Sequence, residues 1–289
     1  MNVVDSAFLF DCQGDELLGI VSAPEIGQPS LGVLVIVGGP QYRVGSHRQF
    51  VLLSRHLAMN GIACMRFDYR GMGDGSGEQH SFEAVDTDVR AALDAFFARQ
   101  PGLRQVVLWG LCDGASVACF YAPTDERVAG LVLLNPWVKT EAGVAKTYLK
   151  HYYLRRLTDP AFWKKLVSGR VALGASVGGV AGAIRAASKG GGGPDATDSS
   201  IPGRMAARLD ASDLPFAVFL SRRDYVAREF EGVLAESAAW KRLMEGERCI
   251  GTMHFDADHT FSSATARNSV ADATLNAVAR FDRFAQKCR

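Results

Sequence analysis

Four short runs of apolar, largely β-branched residues recur along the first half of the chain, and each stops at a turn rich in glycine or proline. They are Leu31–Val37 before Gly38-Gly39-Pro40, Ile62–Tyr69 before the glycines at 71–77, Gln105–Trp109 before Gly110, and Val128–Asn135 before Pro136. A run with no polar alternation is the pattern of a strand covered on both faces, as in a parallel sheet flanked by helices. Between the runs lie segments with helical periodicity. One spans about His47 to Asn60, and in another Phe82, Val85, Val89, Leu93 and Phe96 recur at helical spacing after Ser81. Strand and helix signals that alternate in this way predict a mostly parallel, doubly wound α/β sheet. Ala7–Cys12 and Leu17–Val21, around Gly14-Asp15, read as an antiparallel hairpin that opens it. Pro215–Leu220 and Glu247–Met253 continue the strand pattern, and a helix over Val270–Gln286, with Leu275, Val278, Phe281 and Phe284 inward, closes it.

The strand signals stop between Val138 and Ser212. Aromatic and basic residues cluster from Tyr148 to Trp163, and glycines fill 190–193. A core of 1–137 and 213–289 with a helical cap insertion over 138–212 is the expected organisation, because open α/β sheets often reach this length as one core plus a decoration. Within the insertion, Lys189–Ser200 has the composition of a flexible linker. Val171–Ile184 is too short and too interrupted by glycine to span a bilayer, which needs about 20 apolar residues; a lid role and a peripheral membrane role both stay open.

Composition narrows the chemistry. With 48% hydrophobic residues and a mean hydropathy of +0.03 the chain can cover a sheet on both faces, which excludes a disordered polymer. The 32 basic and 31 acidic residues leave a net charge of +1 with no run of one sign, so nothing points to a nucleic-acid partner and a small molecule is the expected one. Six cysteines without C-x-x-C pairs suit neither a disulfide framework nor a zinc knuckle. Free thiols in a reducing cytosol are the expectation, and residues 1–11 show no secretory pattern.

Gly110-Leu111-Cys112-Asp113-Gly114 sits between a buried strand and a helix of small residues, in the pattern G-x-S-x-G with cysteine in place of serine. A strand-to-helix turn that sharp brings backbones close, so its flanking residues must be small, and it holds the central side chain out as a nucleophile. A cysteine there also stands at a helix N-terminus, where the dipole favours thiolate; reactive cysteines in such settings have pKa values of ~3.5–7.5 against ~8.5 when free. The competing reading is a buried structural cysteine in a glycine-flanked turn.

A nucleophile needs a base within hydrogen-bond reach and an acid to orient that base. In α/β-hydrolases these follow in the order nucleophile, acid, histidine. Asp224 fits the acid, in a loop at the carboxyl end of the Phe216–Leu220 strand; the competing reading pairs it with Arg222 or Arg223 on the surface. His254 and His259 compete for the base, and His259 is preferred because it lies in the loop after the last strand. A metal site from His254, Asp256 and His259 lacks a fourth ligand, so no metal and no cofactor is expected. His47, His56, His80 and His151 read as solvated or locally bonded. The oxyanion donors are assigned to the backbone N–H of Asp113 and, since Pro40 has none, of Gln41, with Gly39 as the alternative. The glycines at 71–77 lack the G-K-[ST] of a phosphate loop and read as a packing turn capped by Asp74.

VGGPQYRVGSHRQF at 37–50, FDYRGMGDGSG at 67–77, LWGLCDGAS at 108–116 and ADHTFS at 257–262 together resemble the exosortase A system-associated hydrolase 1 group of the α/β-hydrolase superfamily, over nearly the whole chain. The resemblance implies an α/β-hydrolase fold with a cap, a hydrolase activity, and a setting in bacterial exopolysaccharide production and protein sorting; the acyl nature of the small-molecule substrate is expected from the elbow nucleophile instead. Most of the superfamily carries serine at the elbow, so Cys112 departs from it; dienelactone hydrolases similarly use cysteine. Three readings follow: hydrolysis of an ester, lactone or thioester by Cys112, His259 and Asp224; acyl transfer to an amine or hydroxyl; and a scaffold with an inert Cys112.

Overall fold

The computed structural model describes residues 2–138 and 199–287. Contacts group the residues up to Val138 with those from Arg204 onward into one compact unit, whose architecture follows. Most of the expected cap insertion, 139–198, lies outside the described residues, as does His151.

Eight strands form one sheet: β1 (Val3–Cys12), β2 (Asp15–Pro24), β3 (Leu31–Ile36), β4 (Ala63–Phe67), β5 (Gln105–Leu111), β6 (Val128–Leu134), β7 (Phe216–Ser221) and β8 (Cys249–Phe255), in the order β1-β2-β4-β3-β5-β6-β7-β8. β1 and β2 pair antiparallel across the Gly14 turn, and β2 pairs antiparallel with β4; every other pairing is parallel. The apolar runs become the central strands. All seven residues of β6 and all six of β7 are buried, because helices cover both faces. α1 (Gln49–Met59) and α7 (Ala264–Lys287) touch each other and cover one face, while α2 (Asp86–Arg99) and α3 (Asp113–Tyr121) pack together on the other. α4 (Ile201–Asp210), α5 (Tyr225–Glu236) and α6 (Ala238–Glu245) complete the helices of the described residues.

Strand order reverses around β3, since β4 lies on one side of it and β5 on the other. Such a switch point opens a crevice at the carboxyl ends of the strands, where α/β proteins place their ligands. The loops after β3, β5, β6, β7 and β8 all emerge at that end. Among the described residues, no helix is long and apolar enough to cross a membrane.

One turn departs from the sequence reading. The carboxylate that organises residues 71–77 is Asp68, not Asp74. Asp68 is fully buried and accepts the backbone N–H of Arg43 at 2.8 Å and of Asp74 at 3.0 Å, and it pairs with the Arg43 guanidinium. Asp74 itself reaches out to Arg43 at 2.8 Å. Gly73, at φ 57°, lies flat on Asp68, where any side chain would collide with the carboxylate. The ion pair thus ties the loop after β3 to the loop after β4.

Candidate active site

The turn after β5 forms because its flanks are bare. A β-carbon on Gly110 would stand 2.3 Å from the Gly114 carbonyl oxygen, and one on Gly114 would stand 2.4 Å from that of Ile36. With both positions open, the chain turns within one residue, and Cys112 takes φ 62°, ψ −127° as the residue that precedes α3. A non-glycine residue in that region costs about 1–3 kcal/mol and persists only where its surroundings fix it. Here they do: the Cys112 N–H donates to the Leu134 carbonyl at 2.9 Å, and its own carbonyl accepts from Ala115 at 3.0 Å and Trp137 at 3.1 Å. The thiol is held at the partly exposed top of the sheet, unlike the buried Cys12, Cys64 and Cys119.

Asp224 follows β7 and caps α5. Its carboxylate accepts the N–H groups of Val226 at 3.2 Å and Ala227 at 3.3 Å, and its Oδ2 lies 2.7 Å from His259 Nδ1. It is 7% exposed and bonds to neither Arg222 nor Arg223. The Cys112 sulfur lies near enough to act on the same imidazole, so residues 112, 224 and 259, from three different loops, meet at one place. The Asp224 carboxylate, and after it the sulfur, push the imidazole up to about 10 against the opposing effect of burial.

His254 stands elsewhere. It lies in β8 and pairs with Glu231 at 3.0 Å, while Asp256 pairs with Arg223 at 3.3 Å. The residues of the metal reading thus turn to three different partners. His56 pairs with Asp272 at 3.1 Å.

Sequence reasoning missed Asn135, which lies beneath the site. It is fully buried with φ 41°. Its Oδ1 accepts from Ser221 N at 2.8 Å, and its Nδ2 donates to Ser221 Oγ at 3.0 Å and to the His259 carbonyl at 3.2 Å. One amide therefore joins the end of β6 to both the acid loop and the base loop. Two further bonds stitch those loops together, Arg222 N–H to the Phe255 carbonyl and Arg223 N–H to the Ala257 carbonyl. Only the position of Asn135, between an apolar run and Pro136, hints at this in the sequence.

The loop after β3 corrects the oxyanion assignment. The Gln41 N–H donates to the Gly39 carbonyl at 2.9 Å, a tight turn that withdraws it from the site. The Asp113 carboxylate takes the Gly114 N–H at 3.1 Å and lies within reach of the N–H groups of Gly39 and of Asp113 itself. Burial pushes this carboxyl above the usual aspartate range; those N–H groups and the charge of His259 pull the other way. Gly38 has room for no side chain, since a β-carbon there would meet both Asp113 Oδ1 and the Leu111 carbonyl at 2.3 Å.

A switch-point crevice, a left-handed elbow and a histidine–aspartate pair on the following loops define an α/β-hydrolase. The family of serine aminopeptidases, S33, matches residues 28–177, more than half of the chain. The chain belongs to that family. The matched span contains the elbow, whereas Asp224 and His259 lie beyond it. A polyketide transferase, GrgF of a Penicillium species, is 32% identical over 87 residues, a match that covers 27% of this chain and 28% of that protein. Among solved structures, the esterase Pf2001 of Pyrococcus furiosus is similar with a TM-score of 0.63 at 13% identity, over 96% of this chain and 91% of its own. Penicillium GrgF is similar with a TM-score of 0.59 at 16% identity, over 97% and 99%. An α/β serine hydrolase homologue of Coxiella burnetii gives 0.54 at 14% identity, over 94% and 96%. At such identities the structural likeness is one of fold.

Proposed function

We propose that this protein hydrolyses an ester, lactone or thioester of a small acyl group with Cys112 as nucleophile, His259 as base and Asp224 as the group that orients it. The observation that carries the proposal is the His259–Asp224 pair at 2.7 Å, with the Cys112 sulfur on a strained elbow near enough to act on the imidazole. Cys112 gives its proton to His259, which leaves a thiolate. That thiolate attacks the acyl carbonyl, and the Gly39 and Asp113 N–H groups turn from the Asp113 carboxylate to the new oxyanion. As the tetrahedral centre collapses, the bond to the leaving group breaks and His259 gives that group its proton. Water then yields a proton to His259 and its oxygen attacks the thioester; the sulfur leaves as thiolate and the acid is released. Asp224 keeps the Nδ1 proton in place throughout.

Changing Cys112→Ala and assaying esters, lactones and thioesters of graded chain length tests this. Loss of kcat/KM by at least ~10⁴-fold is expected; full turnover in the variant would end the proposal. The likeness to a protein named a polyketide transferase supports a second reading, in which the thioester passes its acyl group to an amine or hydroxyl once water is excluded. Product analysis with such acceptors present separates the two. The proposal includes a cytosolic setting, in which thiols stay reduced. It also includes the exosortase-associated setting of exopolysaccharide production, which rests on the resemblance of the four segments quoted above.

A further inference from the structure

Beside the elbow, on the side of Gly39 and Asp113, is a pocket of about 220 Å³. Phe82, Val85 and Val117 make its apolar wall, and His80 lies exposed at its rim. Gln79 and Ser81 line it as well and are exposed like His80, which leaves two less exposed polar groups in the lining. One is the Asp113 carboxylate, in the residue next to the nucleophile. The other is Tyr69, 3% exposed, whose hydroxyl is buried with no hydrogen-bond partner among the described residues. The phenol lies close enough to Asp113 to feel its charge. An unmade bond of this kind in a pocket wall is a place for a ligand group.

We infer that this pocket receives the acyl chain of the substrate and that the chain carries a hydroxyl group. The inference rests on the acyl-hydrolase reading and specifies its substrate. A leaving group must face His259, its proton donor; this pocket is lined by neither His259 nor Cys112 and meets the site through Gly39 and Asp113, the oxyanion side, so it falls to the acyl side. The hydroxyl follows from the two polar groups. A carboxylate accepts hydrogen bonds and donates none, while a phenol does both. One hydroxyl can donate to Asp113 and accept from Tyr69. An alkyl end leaves both groups unanswered. A carboxylate end offers only acceptors and is repelled by Asp113. An ammonium end leaves the phenol proton unmatched and brings a charge among Phe82, Val85 and Val117.

The experiment compares thioesters of one chain length and one leaving group whose acyl chains end in methyl, hydroxyl, amine or carboxylate. For the wild-type protein kcat/KM is expected to be about tenfold higher for the hydroxyacyl thioester than for the alkyl one, the worth of two modest hydrogen bonds. In Tyr69→Phe and in Asp113→Asn that ratio falls to about one. The same four chains, presented as ketones that cannot be hydrolysed, are titrated by calorimetry against Cys112→Ala, where the hydroxyl chain should again bind about tenfold more tightly. Turnover with no preference for the hydroxyl, a preference for amine or carboxylate, or a ratio that survives Tyr69→Phe overturns the inference. If no thioester is turned over but the hydroxyl ketone binds best, the pocket stands and the hydrolase reading falls. If the ketones show no preference either, both fall.

Discussion

His259 Nδ1 stands 2.7 Å from Asp224 Oδ2, and the same carboxylate caps α5 through Val226 and Ala227. One side chain thus holds a helix and a base, so substitutions at Asp224 separate the two duties. Asparagine keeps the cap, since it ranks with aspartate at that position, while alanine loses it at a cost of about 1 kcal/mol. Asp224→Asn is expected to unfold near the wild-type denaturant midpoint yet lose about 10³–10⁴-fold in kcat, because an amide does not fix the ring's proton. Asp224→Ala should lose both. Urea titration and steady-state kinetics on the two variants check this; an active Asp224→Asn would contradict it.

The raised His259 makes stability depend on pH in a defined window. Its folded value of about 10 lies above the ordinary 6.5, so the contribution is complete below 6.5 and fades as pH rises through 10. Denaturation midpoints of the wild-type protein should fall between pH 7 and pH 10 more steeply than those of His259→Gln. Parallel curves would show that the ring is not held charged.

Glycine substitutions should divide by what they meet. Gly110→Ala and Gly114→Ala press a methyl group onto backbone carbonyls at 2.3 and 2.4 Å, and backbone cannot give way cheaply. Losses above ~4 kcal/mol are expected for each. Gly232, exposed within α5 with nothing within 4 Å of the added carbon, should instead gain about 0.5–1 kcal/mol on replacement by alanine. Chemical denaturation of the three variants measures both signs.

Asn135→Ala removes three bonds that bind the acid and base loops to β6. A displacement of the imidazole by about 1 Å is enough to lower kcat ~10²-fold. KM should stay within about twofold, because Asn135 lies under the site. A fall in KM-linked affinity with unchanged kcat would contradict this role.

Much of this was legible in the residues. The strands after Leu31, Gln105, Val128 and Pro215 were readable because both faces are covered, which leaves an unbroken apolar run. The elbow was readable because Gly110 and Gly114 admit no substitute, and Asp224 and His259 because their loops follow strands in chain order. Gln41 was misjudged: excluding Pro40 left it as a donor, but only the turn itself reveals that its N–H is taken by Gly39. The choice of Asp74 over Asp68 failed for a related reason, since Asp68 reads as part of a strand while its carboxylate turns back under the following glycines. α5 and α6 went unread. Their apolar faces are narrow, and just Ala227, Phe230, Trp240 and Leu243 are buried along them. Asn135 carries no pattern of its own, because its three bonds reach residues 86 and 124 positions away.

The most direct test is the alkylation of the wild-type thiols by iodoacetamide at pH 6, followed residue by residue by mass spectrometry. Cys12 and Cys64 are buried, their thiols pushed up to about 11 and about 12, and Cys119 is buried and pushed higher still; Cys249, partly exposed in β8, serves as the internal reference. Labelling of Cys112 at least tenfold faster than Cys249, abolished in His259→Gln, is the predicted result. Labelling of Cys112 no faster than Cys249, or at a rate indifferent to His259, would contradict a sulfur activated by that imidazole.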